Sequence, residues 1–179
     1  MSNNVLARIG VLTISDRASA GEYEDISGKA INDFLYRALR SNWVSVIKIV
    51  PDGIDSVTRA LIDMVEQEGC DLILTTGGTG PAPRDLTPEA MRMVITRELE
   101  GFGELMRRIS LDQVPTAILS RQTAGTRGRC LIINLPGRPS AIDVCLNAVF
   151  PAISYCLDLI GARRIEVNPD VCTALRPAI

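Results

Sequence analysis

Three short runs of aliphatic and β-branched residues, VLARIGVLTI (5–14), WVSVIKIV (43–50) and LILTT (72–76), alternate with stretches whose apolar residues recur at helical spacing. This alternation constrains the fold more than any other feature. The first helical stretch carries Ile31, Phe34, Leu35, Ala38 and Leu39, and the second carries Ile54, Val57, Leu61, Met64 and Val65. Strands that alternate with amphipathic helices are joined by βαβ crossovers. The expected fold is therefore α/β: a three-layer α/β/α sandwich with a mostly parallel central sheet. At 179 residues, without internal repeats or a linker, the chain reads as a single domain over 1–179.

Local signals refine the expectation. Ser27 reads as the N-cap of the first helix, which should stop near Ser41, and PDGID opens the second. Thr87 and Pro88 read as N-cap and first residue of a third helix running to about Glu98. A short helix is expected over 101–112, a strand over 114–120, a turn over 123–128 and a strand over 129–135, the two strands forming a hairpin. The last helix begins after the Pro136-Gly137 break, is interrupted at Pro151 and stops at Gly161. The tail after Arg163 carries no clear pattern.

Composition removes several functions. There is no histidine, so Ser-His-Asp and Cys-His catalysis, histidine zinc sites and the commonest general base are excluded. The five cysteines, Cys70, Cys130, Cys145, Cys156 and Cys172, include no CxxC pair and read as reduced packing residues. A net charge of −2 argues against a nucleic-acid partner. No run approaches the roughly 18 apolar residues of a membrane span. The N-terminal residues lack a secretory pattern, which points to the cytoplasm.

In an open parallel sheet, ligands sit beyond the carboxyl ends of the strands. Four loops fall there: SDRASAG, PDG, TTGGTGPAPRD and NLPGRPS. In the third, Gly77, Gly78 and Gly80 allow close approach of backbone amides, and the following helix turns its positive end toward the loop. This favours an anion, although a loop needed only for turning remains the alternative. It is neither a Walker loop, lacking GK[ST], nor GxGxxG. Asp85 could hold Mg²⁺ against phosphate oxygens, orient the loop amides, or pair with Arg84. Asp52 could join it in a metal site or simply cap a helix. Ser15 and Asp16 suit either ligand contact or a turn. Arg121, Arg127, Arg129 and Arg138 could neutralise phosphates or be solvated surface groups. Asn134, Pro136, Gly137 and Ser140 could read a heterocycle or form a capped strand-to-helix turn. These residues alone point to an α/β protein that binds a phosphorylated small molecule.

Together, GVLTISDRASAGEYED, the PDG after the second strand, LILTTGGTGPAPRDLTPEAM, GFGELMR, PTAILSRQTAG and LIINLPGRPSAI resemble the molybdopterin adenylyltransferase family. That family is the MogA type, which is similar to MoaB and to the G domain of gephyrin-like molybdenum-insertion proteins. The resemblance runs from residue 10 to about residue 159. It implies a MogA-like fold and AMP transfer from ATP to the terminal phosphate of molybdopterin, with release of pyrophosphate and Mg²⁺ assistance. By the same resemblance Asp52 and Asp85 are the catalytic and metal-holding residues. Thr76, Gly77, Gly78, Thr79 and Gly80 contact phosphate and nucleotide, and Ser15, Asp16, Ser120, Asn134, Pro136, Gly137 and Ser140 contact pterin or adenine. A homotrimer and a molybdenum-insertion protein as partner are also implied. The alternative is a non-catalytic molybdopterin carrier of the MoaB type.

Overall fold

A computed structural model describes residues 6–177. Val5 of the first expected strand, the first four residues of the N-terminal reading and the two ends of the 1–179 domain lie outside the described residues.

Eight residues of the first apolar run form β1 (Ala7–Ile14), and the next two runs form β2 (Trp43–Val50) and β3 (Leu72–Thr76). Between them lie the one-turn helix α1 (Asp16–Ser19), α2 (Ile26–Ala38) and α3 (Ile54–Glu66). Then follow α4 (Thr87–Val94), β4 (Arg97–Glu98), α5 (Glu100–Leu111), a 3₁₀ turn (Pro115–Leu119), β5 (Ala124–Arg127), β6 (Cys130–Leu135) and α6 (Pro139–Leu159).

The strands make one six-stranded sheet in the order β2-β1-β3-β6-β5-β4. β2, β1, β3 and β6 run parallel, whereas β5 is antiparallel to β6 and β4 to β5. Both faces are covered, as alternate residues show. Val11, Leu74 and Ile133 join α2, α5 and α6 in one core, whereas Leu12, Ile73 and Ile132 join α3 and α4 in the other. The expected three-layer sandwich is the observed one. Phe34 of α2 meets Phe150 of α6 edge to face at 5.1 Å in the larger core.

Several local expectations are corrected. Ser27 is not the cap of α2; Asp25 is, accepting from the Gly28 amide at 2.8 Å, and α2 ends at Ala38 rather than near Ser41. α4 has Leu86 as its N-cap, places Thr87 inside the first turn and stops at Val94 instead of Glu98. Its continuation is drawn away because Thr96 and Leu99 donate to the carbonyls of Thr126 and Ala124 at the sheet edge. Residues 114–120, expected as a strand, form the 3₁₀ turn, and the hairpin partner of β6 is Ala124–Arg127, which was expected as a turn. Only the latter can be buried beside β6, where Ala124 faces Ile133. Pro151 does not interrupt α6, because the apolar face on either side of it, Leu146, Val149, Phe150, Ile153 and Leu157, is buried as one surface. That tertiary burial outweighs the one helical hydrogen bond proline forgoes. By length and composition α6 would suffice to cross a bilayer, which a count of consecutive apolar residues does not register, but its buried face completes the protein core.

The tail is anchored rather than unspecified. Asp71, buried at the start of β3, accepts from the Arg8 amide at 2.9 Å, the Arg163 amide at 3.0 Å and the Arg163 guanidinium at 2.8 Å. Ile165 and Cys172 then return to the core. Asp71→Ala strips three donors of one acceptor and should lower the unfolding free energy by about 2–3 kcal/mol. A denaturant titration that moves it by less than about 0.5 kcal/mol would sink this role for Asp71.

Candidate active site

The strand order β2-β1-β3 makes the chain turn to opposite sides after β1, so the loops following β1 and β3 diverge and leave a crevice between them. Gly77 forms its floor. Its φ is +106°, and a Cβ there would stand 2.1 Å from the Ile14 carbonyl oxygen. Gly78 follows with φ +63°, where a Cβ would lie 2.4 Å from Thr87 Oγ1. Thr87 fixes this turn by donating its hydroxyl to the Gly77 carbonyl at 2.9 Å and its amide to the Gly78 carbonyl at 3.1 Å. The Thr79 carbonyl accepts from the Arg121 amide at 2.8 Å, and the Gly80 carbonyl accepts from Arg121 Nε at 2.9 Å. Oxygens that would repel an anion are thus turned into the protein.

Two cavities flank this loop. One, of about 300 Å³, lies over the ends of β1, β2 and β3 and is lined by Ser15, Asp16, Asp52, Thr76, Gly77 and Arg84, among others. The second, of about 610 Å³, lies between the loop, α5, the 3₁₀ turn and the start of α6; its lining includes Thr79, Gly80, Asp85, Ser120, Pro136 and Ser140. Gly78 and Gly137 line both. Gly137 lies so close to the glycine loop that a Cβ on it would stand 3.4 Å from the Gly77 Cα. It is tied there by its carbonyl, which accepts from Ser27 at 2.9 Å, while the neighbouring Pro136 carbonyl accepts from Thr76 at 2.8 Å.

Asn134 lines neither cavity. It is fully buried in β6, donates to Thr75 at 3.1 Å, and its side-chain oxygen has no partner among the described residues. Its position within a central strand, before the loop begins, explains the difference. The other expected site residues, from Ser15 to Ser140, border one cavity or both.

Asp52 does not cap α3, whose N-cap Gly53 makes no side-chain bond. It accepts from the Asp16 amide at 3.0 Å, and Asp16 in turn accepts from the Asp52 amide at 2.9 Å. This reciprocal pair joins the ends of β1 and β2. Ser15 caps α1 through the Ala18 amide at 3.3 Å. One oxygen of Asp85 accepts from the Ala82 amide at 3.0 Å, so it does orient its loop, but it does not pair with Arg84. Arg84 instead reaches into the smaller cavity, where its guanidinium meets Asp16 and stands 4.0 Å from Asp52.

The arginines also separate. Arg121 is engaged internally, bonding the Gly80 carbonyl, the Asp85 carbonyl and Glu89, and so clamps both ends of the loop. Its hydrogen bond holds the Glu89 carboxyl below the usual range. Arg127 is engaged by Glu66 and the Val94 carbonyl. Of the four expected from sequence, Arg138 borders a cavity. Arg17 and Arg84 in the smaller cavity and Arg107 in the larger were missed; Arg107 closes the GFGELMR segment and donates to the Gln122 carbonyl at 2.7 Å.

Burial, and after it the charge of Asp85, raises the Asp52 pKa above its ordinary 3.8. Asp52 thus senses the charge of Asp85 across the glycine wall. A Cβ at Gly78 would lie 3.5 Å from Asp52 Oδ1, and one at Gly80 would lie 2.7 Å from Asp85 Oδ2. Carboxylate oxygens, a glycine loop at the strand ends and paired cavities define an α/β protein with a small-molecule site at the carboxyl end of its sheet.

Comparison with known proteins places the chain more closely. Residues 10–155 match the family described as probable molybdopterin binding domain, and the chain belongs to that family. It is 56% identical over 169 residues to the molybdopterin adenylyltransferase of Helicobacter pylori strain J99, covering 94% of this chain and 96% of that protein. It is 42% identical over 182 residues to the molybdopterin adenylyltransferase of Escherichia coli K12, covering 95% and 93%. Among solved structures, the molybdopterin biosynthesis enzyme MoaB of Thermus thermophilus superposes with a TM-score of 0.79 at 43% identity, covering 87% of this chain and 96% of that one.

The raised Asp52 pKa has a sign consequence for stability. The folded chain holds the Asp52 proton more tightly than the unfolded chain, so this group's contribution is present below pH 3.8 and lost as pH rises through the raised value. At neutral pH the ionised carboxylate opposes folding, and its contact with the exposed Arg84 offsets little. Asp52→Asn, which retains an acceptor for the Asp16 amide, should therefore raise stability by up to about 1 kcal/mol at pH 7. A lower melting temperature for the variant than for the parent would contradict this.

Proposed function

We infer that this chain is a molybdopterin adenylyltransferase, which transfers AMP from ATP to the terminal phosphate of molybdopterin and releases pyrophosphate in molybdenum cofactor biosynthesis. The observation that carries this reading is the pair of cavities that meet at Gly78 and Gly137 with Asp52 on one side and Asp85 on the other. Two substrates, one in each cavity, would present their phosphates to each other at that wall.

The chemistry suits a chain without histidine. An oxygen of the pterin phosphate monoester attacks the α-phosphorus of ATP, a new P–O bond forms, and the bond to the β-phosphate oxygen breaks to release pyrophosphate. The nucleophile is already anionic, so no side chain has to remove a proton, and positioning and charge neutralisation carry the rate. Gly77 and Gly78 hold the loop open to the phosphates, and Thr76, Thr79, Gly80 and Gly137 border the path between the cavities. Ser15 and Asp16 line the smaller cavity, and Ser120, Pro136 and Ser140 the larger. Asn134 acts from beneath, holding Thr75 just before the loop.

We assign Asp52 and Asp85 as the residues that would hold Mg²⁺. Mg²⁺ usually takes one or two protein carboxylates and completes its shell with water and substrate phosphates, and two aspartates beside a phosphate-sized loop offer that donor set. The repulsion that helps raise the Asp52 pKa is what a divalent cation relieves. Bound there, it would offset the negative charge of the phosphates at the reacting centre. From the family resemblance we further assign a homotrimer acting in the cytoplasm as a single domain and passing its product to a molybdenum-insertion protein.

Incubation with molybdopterin, Mg²⁺ and α-labelled ATP should give a labelled pterin and pyrophosphate. Tight pterin binding with no product would replace this reading with the carrier. Asp85→Asn, which removes a charge but little volume, should retain pterin binding and lose transfer by about 100-fold or more; parent-like turnover would remove its role. Gly78→Val should abolish turnover, since it places a β-branched side chain at positive φ against Thr87.

A further inference from the structure

Arg84 and Asp85 are neighbours in sequence but face different cavities, the arginine turning to the smaller and the aspartate to the larger. The Arg84 side chain is 68% exposed, and its guanidinium is held at its end by the Asp16 carboxylate, with Asp52 at 4.0 Å. At that exposure little packing fixes the position. Arg17, the other cation bordering this cavity, lies over the Tyr23 ring at 5.2 Å. The cation beside Asp52 is therefore a loosely held side chain on the glycine loop, occupying the charge that a divalent ion would also seek.

Resting on the adenylyltransferase reading, we propose that Arg84 is a partner-exchanging phosphate clamp: it neutralises Asp16 and Asp52 in the empty site, and on substrate arrival moves to the phosphate chain and leaves Asp52 to the metal. A planar guanidinium suits both partners, since carboxylate and phosphate offer it similar paired oxygens. The exchange keeps a cation beside Asp52 at each stage, first the guanidinium and then the metal. Without it, two carboxylates would face an incoming polyanion unscreened. The exchange also links the two ligands, because metal held by Asp52 releases the arginine that the anion needs.

The distinguishing consequence is one of sign. In calorimetric titrations of the whole chain, Arg84→Ala should bind inorganic pyrophosphate, without metal, about tenfold or more weakly than the parent. The same variant should bind Mg²⁺ alone several-fold more tightly, because a competing cation has been removed. Arg84→Lys keeps the charge without the fork and should restore part of both affinities. A residue that merely braced the loop would weaken both ligands together. Parallel weakening, unchanged affinities, or no pyrophosphate binding by the parent would each overturn the exchange. The adenylyltransferase reading is judged separately by labelled product from the parent. Opposite shifts without that product would leave the clamp standing and remove the reaction.

Discussion

The contact between Gly77 and the carbonyl of Ile14 is the constraint from which the site follows. With the Cβ position only 2.1 Å from that oxygen and φ at +106°, no side chain fits where β1 and β3 end side by side. The glycine loop therefore lies directly on the end of β1, and the loops after β1 and β2 are drawn to the same place by the reciprocal bonds of Asp16 and Asp52. Gly137 packs against Gly77 in turn, so the loop after β6 closes the other side. Strand ends otherwise separated by the sheet's spacing are condensed into one wall thin enough to serve two cavities.

Rigidity reaches that wall through residues that never border it as reactive groups. Arg121 spans the loop from the Gly80 carbonyl to the Asp85 carbonyl and is itself pinned by Glu89 of α4. Thr87, buried in the first turn of α4, holds the preceding glycines with both its amide and its hydroxyl. Met91 and Val94 place α4 on the sheet by burying its apolar face with Leu61 and Met64 of α3. Core packing, helix position and loop shape are consecutive links, and the last of them sets the shape of the wall between the cavities.

What could be read from sequence divides along the same physical lines. The parallel strands were legible because short apolar runs such as Leu72, Ile73 and Leu74 end at turn residues, and the helical layers because Ile31, Phe34 and Leu35 recur at helical spacing. The glycine loop was legible because Gly77, Gly78 and Gly80 cluster beside a strand end. Misreadings fell where partners are distant. Residues 114–120 have strand-like composition but lie outside the sheet, and Ala124–Arg127 becomes a strand only by pairing with β6. Charges were the least legible. Arg121 and Arg84 look alike in sequence, yet three carbonyl or carboxylate partners hold the first in place while the second is tethered only at its exposed end.

A site without histidine has to obtain its reactivity from where charges are placed, and that placement conflicts with stability. Asp52 sits partly buried within reach of Asp85's charge, an arrangement that raises its pKa and opposes folding when both are ionised. The fold tolerates this because the Asp16 amide, fixed by the backbone, donates to Asp52, whereas the exposed Arg84 guanidinium at 4.0 Å offsets little. The fixed bond preserves geometry when ligands come and go. The arginine's contact is made from an exposed side chain that the backbone does not fix. A neutral residue at either aspartate would relax that conflict by removing one of the two charges that meet across the glycine wall.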